Sequence, residues 1–136
     1  MSEFQMPVGN SEKWSDLPWI VKGYIQAAFF TECNEDHPEL ADATFSDISE
    51  ESLATILVDC ALFQNKSVDY LEKACELAGK SEESLGMDFW YTRNGHGVGF
   101  WEKGRWPKYG ARLDRLAKEF GECCVVRGDD GQVYFD

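Results

Sequence analysis

The stretch "GMDFWYTRNGHGVGFWEKGRW", residues 86–106, constrains the fold more than any other part of the chain. It crowds Phe89, Trp90, Tyr91, Phe100, Trp101 and Trp106 together with glycines around His96. Asn94-Gly95 at its centre is a strong hairpin signal, because a type I′ turn needs positive φ at both central residues. A two-residue turn there fixes a register. Arg93 faces His96, Thr92 faces Gly97, Tyr91 faces Val98, Trp90 faces Gly99, Phe89 faces Phe100 and Asp88 faces Trp101. Strand alternation then puts Phe89, Tyr91, Arg93, His96, Val98 and Phe100 on one face, and Asp88, Trp90, Thr92, Gly97, Gly99 and Trp101 on the other. On this reading the glycines are flat ground covered by tryptophan across a strand pair rather than a phosphate loop.

The remaining elements frame that hairpin. "SDLPWIVKGYIQAAFFTE" reads as a helix with Ser15 or Asp16 at its N-cap and Pro18 in its first turn. "CNEDHPELADATFSD", residues 33–47, is acidic, aperiodic and contains Pro38, so it reads as loop. "SDISEESLATILVDCALFQ" reads as a strong helix capped by Asp47 or Ser49, with Leu53, Ile56, Leu57, Cys60 and Phe63 as its stripe. Val68, Leu71, Ala74, Cys75 and Ala78 give a third helix closed by Gly79. After the hairpin, "KYGARLDRLAKEFG" is an amphipathic helix with Tyr109, Leu113, Leu116 and Phe120 inward, and "CCVVRGDDGQVYFD" is a second hairpin. The expected architecture is α+β: three N-terminal helices, then hairpin, helix, hairpin, with a small antiparallel sheet packed on helices. At 136 residues the expectation is one domain, with an N-terminal segment over 1–14, an acidic helical part over 15–80 and a sheet part with one helix over 86–136.

Charge is unevenly spread. The formal net charge is −12; residues 1–88 hold 18 Asp/Glu against 5 Lys/Arg, and residues 89–136 hold 7 against 8. Glu50, Glu51 and Asp59 mark an acidic face suited to a basic partner. Lys108, Arg112 and Arg115 form a basic stripe which, with Arg93, Lys103, Arg105, Trp101, Trp106 and Tyr109, could contact nucleic acid through phosphates and stacking. The overall negative charge opposes that use. No apolar run is long enough for a membrane span, and the N-terminus lacks a signal-peptide pattern. Five cysteines without a C-x-x-C pair read as reduced thiols of a cytosolic protein.

Few residues invite catalysis. His96 has Arg93 across the strand pair but no orienting carboxylate in that register, so an enzyme centred on it ranks third among the readings. Cys33 and His37, with Glu35 and Asp36, have metal-ligand chemistry but fall short of a tetrahedral set. The Asp129-Asp130-Gly131 turn lacks the ligand count of a calcium loop. No catalytic residue, metal or cofactor is therefore assigned. If Phe89 and Phe100 face the helices, Trp90 and Trp101 lie outward as interface anchors, and Arg93 and His96 next to the hairpin tip are further candidate partner contacts.

The segments "DFWYTRNGHGVGFWEKG", "LAKEFGE" and "DDGQVYFD", with "YIQAAFFTE", "FSDISEESL" and "DCALF" upstream, resemble a family of small uncharacterised proteins from tailed bacteriophages and mobile elements. The likeness runs from Tyr24 to Tyr134. Members more often carry histidine where this chain has Met87, and "LTR" where it has "YTR". The resemblance implies a phage accessory protein working in the cytoplasm of a bacterial host. Such proteins often bind and block a host protein, and many counter defences such as CRISPR or restriction. An acidic, DNA-mimicking surface would suit a stoichiometric inhibitor of that kind. The alternative is a nucleic-acid or nucleotide binding module using the basic helix and the tryptophan face. The two-lobed charge distribution is also compatible with a homodimer.

Overall fold

The computed structural model describes residues 9–136, so the first eight residues of the expected N-terminal segment lie outside the described residues. It contains five α-helices and one two-stranded sheet: α1 (Trp19–Glu32), α2 (Glu50–Lys66), α3 (Leu71–Ala78), α4 (Glu82–Arg93), α5 (Gly110–Glu119), β1 (Val125–Arg127) and β2 (Val133–Phe135). Helix α1 starts directly after Pro18, while Trp14–Asp16 forms a separate 3-10 turn. The Ser49 side chain caps α2 by accepting from the Ser52 amide, with Glu50 and Glu51 favourably placed in the first turn. β1 and β2 pair antiparallel, Val126 opposite Tyr134. The Ser49 amide donates to the Val133 carbonyl at 3.0 Å, tying the start of α2 to the sheet.

The expected fold class is corrected at the glycine-aromatic stretch. Residues 82–93 are helix α4, so the first hairpin does not exist and none of its cross-strand pairs forms. The structure is mostly helical, and the C-terminal hairpin supplies all the strand among the described residues. Ser81 caps α4 by accepting from the Ser84 amide, and Glu82 and Glu83 occupy the first turn.

Asn94-Gly95 ends this helix instead of turning a hairpin. Asn94 has φ of −104°, whereas Gly95 has φ of +68°. The His96 amide donates to the Tyr91 carbonyl at 3.0 Å and the Gly95 amide to the Thr92 carbonyl at 3.2 Å, the paired bonds of a Schellman cap. A type I′ turn and a Schellman cap both need a left-handed glycine; only the residue before it distinguishes them. A Cβ at Gly95 would meet nothing within 4 Å. Gly95→Ala should therefore cost only the left-handed backbone penalty, about 1 kcal/mol, read as a lower urea midpoint with an unchanged slope.

Helix α4 runs beside α1 in the same direction. Trp19 borders Ser81–Glu83 near the helix starts, and the Trp90 indole donates to Thr31 Oγ1 near the ends at 3.0 Å. The approach is backbone to backbone. A Cβ built on Gly23 would lie 1.9 Å from the Glu83 carbonyl oxygen, and one on Gly86 2.0 Å from that of Ile20. Aromatic side chains fill the space behind this crossing. Phe63 stacks on Phe89 at 4.3 Å between centroids, Phe89 meets Phe120 edge-on at 4.9 Å, and Tyr24 meets Trp90 edge-on at 5.2 Å. The connection from α4 to α5 is irregular but anchored. Thr92 Oγ1 accepts from the Phe100 amide, while fully buried Asp88 takes a bidentate Arg105 and the Trp106 indole.

Candidate functional site

The residues expected to form a tryptophan face are dispersed. Trp90 is wholly buried against Tyr24 and Phe135, so it is a core residue and not an interface anchor. Trp101 is 52% exposed, but it sits in the connection after α4, and a Cβ on Gly99 would meet its indole. Trp101 keeps its expected exposure, and only Trp90 changes place. A helical period turns Trp90 toward α1, where a strand period would have turned it outward.

Arg93 is buried too. Its guanidinium donates to Asp59 Oδ2 at 3.0 Å, to the Tyr24 hydroxyl at 3.0 Å, and to the carbonyls of Phe120 and Gly121 at 3.0 and 2.8 Å. It thus ties α4 to α1 and α2 and satisfies the last carbonyls after α5. Asp59 is committed to this ion pair, leaving Glu50 and Glu51 as the exposed carboxylates of that expected acidic face.

The two histidines of the chain meet at one carboxylate. His37 Nε2 lies 3.9 Å from Glu32 Oε1, and His96 Nε2 lies 3.9 Å from Glu32 Oε2. Glu32 at the end of α1 supplies the acidic neighbour that the hairpin register denied His96. Neighbouring Cys33 has its thiol pushed up to about 11 by burial, with the Glu32 carboxylate adding to the effect. Among the described residues no group of three or more His, Cys, Asp or Glu is placed to hold a metal ion.

The basic stripe is exposed, but its aromatic neighbours are occupied. Arg112 lies 3.9 Å over the Tyr70 ring, Tyr70 stacks on Tyr109 at 5.3 Å, and Lys108 lies 5.3 Å from the Tyr109 ring. Tyr70 is itself buried, so its faces are taken by the protein's own groups.

A different surface collects apolar exposure and carboxylates. Gln64, Val68, Leu71, Glu72, Cys75 and Glu82 line an open hollow of about 530 Å³ where the end of α2, helix α3 and the start of α4 converge. Val68 is 67% exposed at this hollow. It precedes α3 (Leu71–Ala78), whereas its spacing predicts a place in the third helix. Glu82 Oε1 accepts from Gln64 Nε2 at 2.9 Å, which holds the carboxylate on the rim. Glu82 also borders a second hollow with Trp19, Ser81 and Glu83. Trp19 is 57% exposed, and Lys22 lies 4.0 Å over its ring. A band from Trp19 through Glu83 and Glu82 to Val68 and Glu72 thus offers two large apolar side chains set among three carboxylates. Sequence reading missed it. Trp19 falls off the Ile20, Tyr24, Ala27 spacing, and that displacement was the available signal.

Among the described residues no helix is long and apolar enough to cross a membrane. No protein-family model, curated protein or solved structure matches the chain.

Proposed function

We propose that this chain is a non-catalytic accessory protein that binds a basic, partly apolar surface of a bacterial host protein and blocks it stoichiometrically. The observation that carries the reading is the band of exposed Trp19 and Val68 flanked by Glu72, Glu82 and Glu83. Exposed tryptophan beside an apolar hollow is the chemistry of an interface anchor, and carboxylates around it select cationic partners. The net charge of −12 adds long-range attraction for such a partner. Nucleases and other nucleic-acid-handling complexes carry basic grooves, so the anti-defence role expected from the phage resemblance fits this chemistry.

Charge reversal tests it. Tagged protein should retain a host protein from bacterial lysate at low salt, less at moderate salt. The double variant Glu72→Lys/Glu82→Lys should lose it by at least about tenfold while keeping its helical circular dichroism. Undiminished capture by that variant would remove the band from the account.

Nucleic-acid binding through Lys108, Arg112 and Arg115 is the second reading. The Arg112–Tyr70–Tyr109–Lys108 stack favours it by presenting cations on rigid aromatic supports. It requires salt-dependent affinity for single-stranded oligonucleotides, lost in Arg112→Glu/Arg115→Glu.

A further inference from the structure

Helix α2 carries a second surface of opposite character. Ala54, Thr55, Val58, Ala61, Leu62 and Asn65 all point outward and are exposed. Val58 and Leu62 are 55% and 42% exposed, and their spacing lays them along one continuous helix face. Thr55 Oγ1 already donates to the Glu51 carbonyl at 3.2 Å, so even its polar atom is satisfied. None of these six residues is charged, on a chain in which 28% of residues are. Along α2 itself charge returns at the two ends of the face, as Glu50 and Glu51 at its start and Lys66 at its end, and Glu12 borders the Ala54 end from outside the helix.

We propose that two copies of this chain pair through antiparallel α2 helices, about a two-fold axis at Val58. The inference goes beyond the partner-binding reading and uses other residues. A two-fold contact must be self-complementary, and this face is. Antiparallel pairing centred on Val58 sets each Val58 against its copy. Each Leu62 then falls over the small Ala54 of the other helix, and each Glu51 beside the other's Lys66. Ala54 and Ala61 let the backbones approach to roughly 8 Å, the close end of helix packing distances.

Charge argues for a second copy over a basic partner. A cationic protein gains nothing from an uncharged stripe and is drawn to the carboxylate band instead. Two copies at −12 repel each other wherever carboxylates meet. The neutral face is where that repulsion is least, and its ends add two attractive pairs. The contact spans one helix of 17 residues, about 25 Å long, so the dimer is reversible and concentration-dependent.

Sedimentation velocity on the full chain tests this. Between about 10 μM and about 1 mM the wild type should shift from the mass of one chain toward two. Val58→Glu should weaken association at least about tenfold, with an unchanged melting temperature because the site is exposed. Glu51→Lys should weaken it at low salt, and Glu51→Lys/Lys66→Glu should recover it. A wild type that stays monomeric throughout, or a dimer that survives Val58→Glu, overturns the interface. Failure of the charge swap to restore association overturns the antiparallel register. Glu72→Lys/Glu82→Lys should leave dimerisation intact, so loss of partner capture and loss of pairing are separable.

Discussion

Gly86→Ala should destabilise the protein by at least about 3 kcal/mol, and so lower its melting temperature by roughly 10 °C or more. The added methyl would sit 2.0 Å from the Ile20 carbonyl oxygen and 2.9 Å from the Tyr24 amide nitrogen. Both obstacles are helix backbone, so no side-chain rotation relieves the clash. The helices must separate, which loosens Trp90 from Tyr24 and its indole from Thr31. Gly23→Ala meets the Glu83 backbone at 1.9 Å and should behave alike. Because one separation of α1 from α4 relieves both, the double variant should cost clearly less than the sum of the singles. Thermal melting followed by circular dichroism measures all three, and near-additive losses would mean that the two glycines serve separate contacts.

Arg93→Ala should cost about 3 kcal/mol or more, because it leaves Asp59 without its cation and two carbonyls after α5 without donors. Lysine should rescue little. A single ammonium cannot reproduce the planar fork that reaches the Phe120 and Gly121 carbonyls while also meeting Asp59 and Tyr24. Urea unfolding of Arg93→Ala, Asp59→Ala and the double variant gives the coupling. A double variant no worse than Arg93→Ala alone is expected, since the penalty of the orphaned carboxylate disappears with it. Full stability in Arg93→Ala would show that the cluster is not a structural tie.

The same details explain which parts of the molecule the sequence exposes to reading. Helix α2 announces itself because it has one buried stripe, Leu53, Ile56, Cys60 and Phe63, with Ser49 as cap and glutamates behind it. The last hairpin is equally legible, with Val125 and Val133 inward on either side of the Gly128–Gly131 turn. Helix α4 hides for a physical reason. Asp88, Phe89, Trp90, Tyr91, Thr92 and Arg93 are all buried, so no polar face marks a 3.6-residue period, and their aromatic and β-branched types favour strand. Ser81 followed by Glu82 and Glu83 is the one local pattern that marks its start.

That single misassigned period carries through to the candidate site. It places Trp90 outside and leaves Trp19 unremarked, whereas the structure buries the former and exposes the latter. The pairings of Arg93 with Asp59 and of Arg105 with Asp88 join residues 34 and 17 positions apart, and no local pattern encodes them. Without those pairings, two internal ties read as surface charge. Glu50 and Glu51 do remain exposed, at the end of the α2 face rather than within the acidic band.

The proposed function is tested most directly by cross-linking mass spectrometry on the captured complex with an amine-reactive reagent. Lys73 and Lys80 flank the Val68 hollow in sequence, the first exposed and the second half-buried. Cross-links from these lysines to one host protein, weakened in Glu72→Lys/Glu82→Lys, are the predicted result. A partner joined instead through Lys108 and Lys118, with nucleic acid in the purified complex, would contradict the acidic band and move the function to the basic face of α5.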